Sequence, residues 1–158
     1  MPELRPLAPA HLHDALAIVH DAVGDTAYEP SLVEWLRSAL AAPGEEARGT
    51  GAWAGEELAG VMVHGAFAGA VGAGRLHLVA VAPGWRAQGV GLALVTHAVT
   101  ELRAHGARFL LAEVPDDAEA LGDYWAFLAR CWFHEEARVD GLVREGIALA
   151  FLRRDLAA

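Results

Sequence analysis

Apolar and polar positions along the chain follow two periods, and the changes of period divide it into strands and helices. Glu3 to Leu7 reads as a short first strand. Leu12, Leu16, Val19 and Val23 then recur at helical spacing from Pro9 and stop at Gly24, which predicts a first helix. A second helix is expected from Ser31, paired with Glu34 as a capping box after Pro30. Its apolar face is Leu32, Leu36 and Leu40, and Pro43-Gly44 ends it. Ala42 to Thr50 reads as a charged surface loop. Gly51 to Ala54 and Leu58 to His64 form an expected antiparallel hairpin turning at Gly55-Glu56. Gly65 to Gly74, uncharged and rich in glycine and alanine, reads as a loop.

Leu76 to Val81 is a run of apolar and β-branched residues, expected as a buried strand that Pro83-Gly84 breaks. The helix that follows Gly91 is expected to close near His105-Gly106. Arg108 to Val114 is apolar enough for a strand covered on both faces. Asp116 and Asp117 can cap a last helix running to about Cys131. Phe133 to Val139 and Gly146 to Leu152 read as two closing strands turning around Asp140-Gly141. The order is β-α-α-β-β-β-α-β-α-β-β. It describes one α/β domain over residues 1–158 with no internal repeat or linker.

Between the buried strand and the helix lies Arg86-x-x-Gly89-x-Gly91. A glycine-rich turn that opens a helix points unpaired N–H groups into one space, and the helix dipole adds partial positive charge there. Glycine lets a phosphate reach the backbone without meeting a Cβ. The alternative is a tight turn without a ligand. A dinucleotide fingerprint would need glycine where Arg86 stands, and a Walker loop needs a lysine, which this chain lacks altogether. The fuller pattern V-x-P-x-x-R-x-x-G-x-G, carried by Val81, Pro83, Arg86, Gly89 and Gly91, resembles the acetyl-CoA-binding segment of the GNAT superfamily of N-acetyltransferases.

That resemblance implies a mixed sheet of about seven strands with helices on both faces and a cleft where the fourth and fifth strands splay apart. It implies acetyl-CoA as co-substrate and no metal. Pantetheine would pair with the backbone of Val79, Ala80 and Val81. The pyrophosphate would take amides of Ala87, Gln88, Gly89, Val90, Gly91 and Leu92, with Arg86 at the start of the turn. Many relatives place a carboxylate base on the fourth strand; here His77 stands about there, and its near-neutral titration suits it to the task. His64 is a second candidate. For each, the other reading is a histidine that only bonds a neighbour.

Relatives commonly protonate the leaving thiolate with a tyrosine in a pattern like F-Y-x-x-x-G-F. The nearest match, Phe127 to Phe133, puts Leu128 in the tyrosine's place and Trp132 in the glycine's. Tyr124 lies one turn earlier on the same helical face and is the candidate acid, against a reading in which it only packs the helix. Cys131 reads as a small core residue.

Composition narrows the partners. A formal net charge of −9 argues against nucleic acid, no stretch has the length and apolarity of a membrane span, and MPELRPLAPA lacks a signal peptide's regions. A single cysteine excludes an internal disulfide and fits a cytoplasmic protein. Asp14, Asp21, Asp25, Glu29 and Glu34 on the first two helices, against Arg37, suggest a small cationic amine as acceptor; the other reading is ordinary solvated helix faces. The expectation is an N-acetyltransferase, monomer or homodimer. A non-catalytic acyl-CoA-binding or sensing domain is the alternative, and the acceptor is not encoded in any recognised pattern.

Overall fold

A computed structural model describes residues 1–156. The elements are β1 (Glu3–Pro6), α1 (Leu12–Val23), α2 (Glu29–Ala41), β2 (Arg48–Ala54), β3 (Glu57–Ala66), β4 (Ala73–Val81), α3 (Val90–Ala104), β5 (Phe109–Pro115), α4 (Ala118–Arg130), β6 (His134–Arg144) and β7 (Ile147–Asp155). They occur in the order expected from the hydrophobic pattern. The seven strands form one mixed sheet in the order β1-β2-β3-β4-β5-β7-β6, antiparallel throughout except for the parallel pair β4/β5.

Alternation along β4 shows which helices cover which face. A Cβ added at Gly74 would meet Leu102 of α3 at 2.6 Å, whereas the next residues outward, Arg75 and His77, lie against Trp35 of α2. So α3 and α2 cover opposite faces. A Cβ on Gly91 would meet Phe127 at 2.8 Å, which puts α4 on the α3 side. The buried side chains from both faces, including Leu32, Leu36, Leu78, Leu94, Leu110 and Leu128, make one continuous core. No helix among the described residues is long and apolar enough to cross a membrane.

Four boundaries differ from the sequence expectation. α2 begins at Glu29, so Pro30 is inside its first turn and Ser31 caps nothing. Proline is tolerated there because the first-turn N–H it lacks has no helical partner anyway. The supposed loop before Gly51 already pairs with β3 from Arg48. The glycine-rich loop is shorter than expected, because Gly65 and Ala66 pair with Arg75 and Gly74. The last hairpin turns at Glu145-Gly146, and the Asp140-Gly141 signal marks instead a bulge in β6, where the register shifts between Val139 and Arg144. A glycine with φ of +71° serves a bulge as well as a turn, so the two are alike in sequence. The Asp117 cap of α4 forms as expected, its carboxylate accepting from the Ala120 N–H.

Candidate active site

The site begins with a fork in the sheet. β4 pairs with β3 from Gly74 to Val81, but with β5 only from Ala73–Leu76, opposite Phe109–Ala112. β5 then carries on against β7 to Pro115. From His77 onward, one edge of β4 therefore has no neighbouring strand. A cavity of ≈ 520 Å³ opens beside this edge, lined by Val79, Ala80 and Val81 of the strand, by Arg86, Ala87 and Gly89 to Leu92 of the turn, and by Tyr124 and Phe127 of α4.

The turn leaves the start of a helix open. Gly89 is the residue before α3, with φ of +83°, and no side chain caps the helix there. The first N–H groups of α3 are thus left for a ligand. In front of Gly89 only Met1 Cε comes within 4 Å of where a Cβ would stand. Ala87 also has a positive φ, +59°, an unusual conformation for a residue with a Cβ. Gly91 is glycine for a different reason, since a side chain would collide with Phe127.

Two members of the motif use their side chains for bonds within the protein. Arg86 is a strut: Nε donates to the Val81 carbonyl at 3.1 Å and its terminal nitrogen donates to the Asp21 carboxylate at 2.6 Å, tying the end of β4 to α1. Gln88 donates to the Gly84 carbonyl at 3.0 Å and closes the turn on itself, away from the cavity wall.

Tyr124 lies in the wall. Burial, above all, pushes its hydroxyl up to about 12, with the Tyr28 hydroxyl and the Val79 backbone beside it. It is therefore a neutral proton donor throughout the physiological range. Tyr28 reaches the fork from the opposite face, its hydroxyl donating to the Glu113 carbonyl at 2.8 Å and its ring meeting Tyr124 edge-on at 5.8 Å. Leu128 is fully buried. Trp132, in the glycine's place, adopts φ of +64° and leaves its ring 67% exposed beneath the Arg154 guanidinium.

His77 is not part of the cavity wall, and the base expected there is placed otherwise. Its ring stacks on Trp35 at 3.7 Å, and Nε2 donates to the Glu46 carbonyl at 2.9 Å. Burial lowers its pKa to about 4, so it stays neutral and is a weak base. A bulge explains the placement: Arg75 and His77 lie on the α2 face, and the register shift beside His77 turns Val81 to the α3 side, next to Gly91. His64 lies farther off, fully buried beside Glu101 of α3, and burial lowers it as well to about 4.

Phe127 and Arg130 line the cavity without having been singled out from sequence. Phe127 follows Tyr124 by three residues and Arg130 follows Phe127 by three, each a step that brings neighbours together on a helix surface. Arg86, Asp123 and Arg130 are the charged residues of the lining, which is otherwise mostly small and apolar. Tyr28 and Glu113 come to the fork through tertiary contacts and have no local signature.

Comparison with known proteins agrees with this geometry. Residues 16–127 match the family model described as Acetyltransferase (GNAT) family. No curated protein sequence matches the chain. Among solved structures, a GNAT-family protein from Desulfovibrio desulfuricans superposes with a TM-score of 0.86 at 24% identity, covering 99% of this chain and 100% of the other. A ribosomal-protein-alanine N-acetyltransferase from Brucella melitensis gives 0.71 at 21% identity, covering 97% and 99%. An aminoglycoside 6′-N-acetyltransferase complexed with coenzyme A gives 0.75 at 14%, covering 99% and 98%. The motif, the forked sheet and the family match lead to one conclusion: the chain belongs to the GNAT acetyltransferase family.

Proposed function

We propose that the protein is an N-acetyltransferase that takes an acetyl group from acetyl-CoA and gives it to the primary amine of a small acceptor. The observation that carries this reading is the free edge of β4 opening on a cavity whose far end is an uncapped helix N-terminus. An extended pantetheine fits the first feature and a pyrophosphate fits the second. Bound there, acetyl-CoA supplies an activated acyl group on sulfur.

The chain's own residues would do the rest. The backbone of Val79 to Val81 would hold the extended arm, and an amide of that edge would stabilise the charge that gathers on the thioester oxygen as the amine attacks. Amides from Ala87 to Leu92 and the guanidinium of Arg130 hold the phosphates. Tyr124 keeps its proton and delivers it to the sulfur that leaves. No side chain in the cavity wall is assigned to take a proton from an ammonium, so the acceptor would have to reach the fork already neutral or lose that proton to water. The proton its nitrogen sheds on forming the amide would return to the Tyr124 oxygen and replace the one given to sulfur.

Release of free thiol from acetyl-CoA, measured across a panel of amines, tests this directly. Amine-dependent release is expected. Stabilisation by acetyl-CoA without any release would instead support a binding or sensing domain, and neither effect would remove the reading altogether.

A further inference from the structure

The chain has two tyrosines, and the fork brings them together from opposite faces of the sheet. The mechanism above uses only Tyr124. Tyr28 is 5% exposed and firmly placed. Its N–H donates to Thr26 Oγ1 at 3.2 Å, and that hydroxyl donates in turn to the Val23 carbonyl at 2.7 Å. Its own hydroxyl donates at 2.8 Å to the carbonyl of Glu113, one residue past the last β4/β5 pair. Beside Tyr28, between Trp35, Arg75, His77 and Glu113, is a small cavity of ≈ 20 Å³. It has room for about one water and none for an acceptor. Tyr28 lines this small cavity and not the large one, so it meets the reaction only through Tyr124.

We infer that Tyr28 is a positioning residue for the proton that Tyr124 gives to the leaving sulfur: its hydroxyl turns from the Glu113 carbonyl to the Tyr124 oxygen as that oxygen loses its proton. The inference rests on the acetyl-transfer reading and adds a residue to it.

The count of donors and acceptors carries it. A phenol has one proton to donate and lone pairs with which to accept. With its proton on the Glu113 carbonyl, Tyr28 can only accept from a neutral Tyr124. When the Tyr124 O–H bond breaks and the proton bonds to sulfur, a phenolate is left in a buried place, where an unpaired charge is costly. The Tyr28 hydroxyl is the side-chain donor beside it. Its proton arrives by rotation about one C–O bond, with no heavy atom displaced and no bond of Tyr28 broken. The charge disappears when the proton shed by the amide nitrogen returns to Tyr124, and the Tyr28 hydroxyl swings back to Glu113. The same influence acts at rest: burial pushes the Tyr124 hydroxyl up to about 12, while the Tyr28 hydroxyl and the Val79 backbone pull it down.

The test follows single-turnover acetyl transfer to an amine that releases thiol in the panel above. It compares wild type, Tyr28→Phe, Tyr124→Phe and the double variant. Tyr28→Phe should slow transfer roughly tenfold, the effect of one hydrogen bond to a charged group, and keep the rise in Tm with acetyl-CoA. In the Tyr124→Phe background the same change should cost nothing more, because no phenolate forms there. A merely structural role would slow both backgrounds alike. If Tyr28→Phe does not fold, 3-fluorotyrosine at position 28 keeps the ring and hydroxyl and makes a stronger donor. Transfer should then quicken by about twofold. A Tyr28→Phe variant as fast as wild type, equal slowing in both backgrounds, or a fluorinated protein no faster than wild type overturns the inference. A Tyr124→Phe variant as fast as wild type overturns it too, while leaving acetyl transfer intact. Absence of amine-dependent thiol release in wild type would be the failure of the underlying reading.

Discussion

The two walls of the large cavity are built on different principles. One wall, Val79 to Leu92, would act through its main chain: a free strand edge, a turn with two residues at positive φ, and a helix start without a cap. Its side chains are mostly small, and the two polar ones, Arg86 and Gln88, brace the loop itself. The other wall, α4, would act through side chains, with Tyr124, Phe127 and Arg130 projecting from one face. A main-chain site constrains every residue that sets the backbone path, so its sequence pattern is rigid. A side-chain site constrains only what arrives at a point in space. A hydroxyl can come from Tyr124 instead of position 128, one turn away, at the same helical azimuth.

The comparison breaks most severely at Gly89. A glutamate there takes up a strained positive φ, costing about 1–2 kcal/mol, and adds negative charge to the anion site. At about 4 Å a like charge costs about 4 kcal/mol in a near-surface dielectric. Acetyl-CoA affinity should fall by about three orders of magnitude, and the ligand-induced rise in Tm should vanish. Gly91→Ala should do less, because its Cβ meets the far end of the Phe127 side chain, which can rotate. Equal ligand stabilisation in Gly89→Glu and wild type would show that the main-chain wall holds no phosphate.

The side-chain wall should fail in rate and not in binding. Tyr124→Phe removes a proton donor and leaves the ring, so kcat should drop roughly 10- to 100-fold, at the lower end of general acid contributions. The Tm shift with acetyl-CoA should persist. Because burial pushes the Tyr124 hydroxyl to about 12, its loss should slow the reaction by the same factor from pH 6 to pH 9. An unchanged kcat would return Tyr124 to packing.

This asymmetry also explains what was legible in the sequence. The element order and the turn were, because periodicity and glycine placement record backbone geometry locally. Leu128 and Trp132 announced a departure in α4, and helical spacing pointed to Tyr124 in the wall. The small cavity was not legible: Trp35, Arg75 and Glu113 come from α2, β4 and β5, and only the folded sheet brings them together. The placement of His77 was not legible for a related reason. Its distance along the strand was sound, but the bulge beside it decides which face the later residues of β4 occupy.

His77 sharpens the comparison through pH. In the unfolded chain it takes a proton near 6.5, and in the folded protein only near 4. Between these values the unfolded state holds more protons, so stability falls as pH falls, by up to about 1.4 kcal/mol per pH unit. Above about 6.5 the term is flat. His77→Gln can keep a donor to the Glu46 carbonyl while removing the titration, so its stability should depend less steeply on pH between 6.5 and 4. His64 contributes in the same direction and would leave a residual slope. Identical slopes would refute the assignment. A rate that rises through a pKa near 6.5 in wild type and loses that limb in His77→Gln would restore the histidine as base.

The smallest effect expected is at the end of the helical wall. Trp132 is bulky yet sits at φ of +64°, the conformation in which α-helices commonly finish with glycine. Main-chain bonds already satisfy the helix end there, Trp132 N–H to the Ala129 carbonyl and Phe133 N–H to the Leu128 carbonyl, so the strain is local. Trp132→Ala keeps the strain and loses the Arg154 contact, 5.1 Å from the ring centroid. Trp132→Gly loses the same contact and relieves the strain. The glycine variant should therefore exceed the alanine variant by about 1 kcal/mol, or about 2–4 °C in Tm for a domain of this size. Pairing these two variants cancels the side-chain contact, which a comparison of either with wild type would not. An alanine variant as stable as the glycine one would mean that the left-handed turn is not under strain, and that tryptophan ends this helix as easily as glycine ends the helices of its relatives.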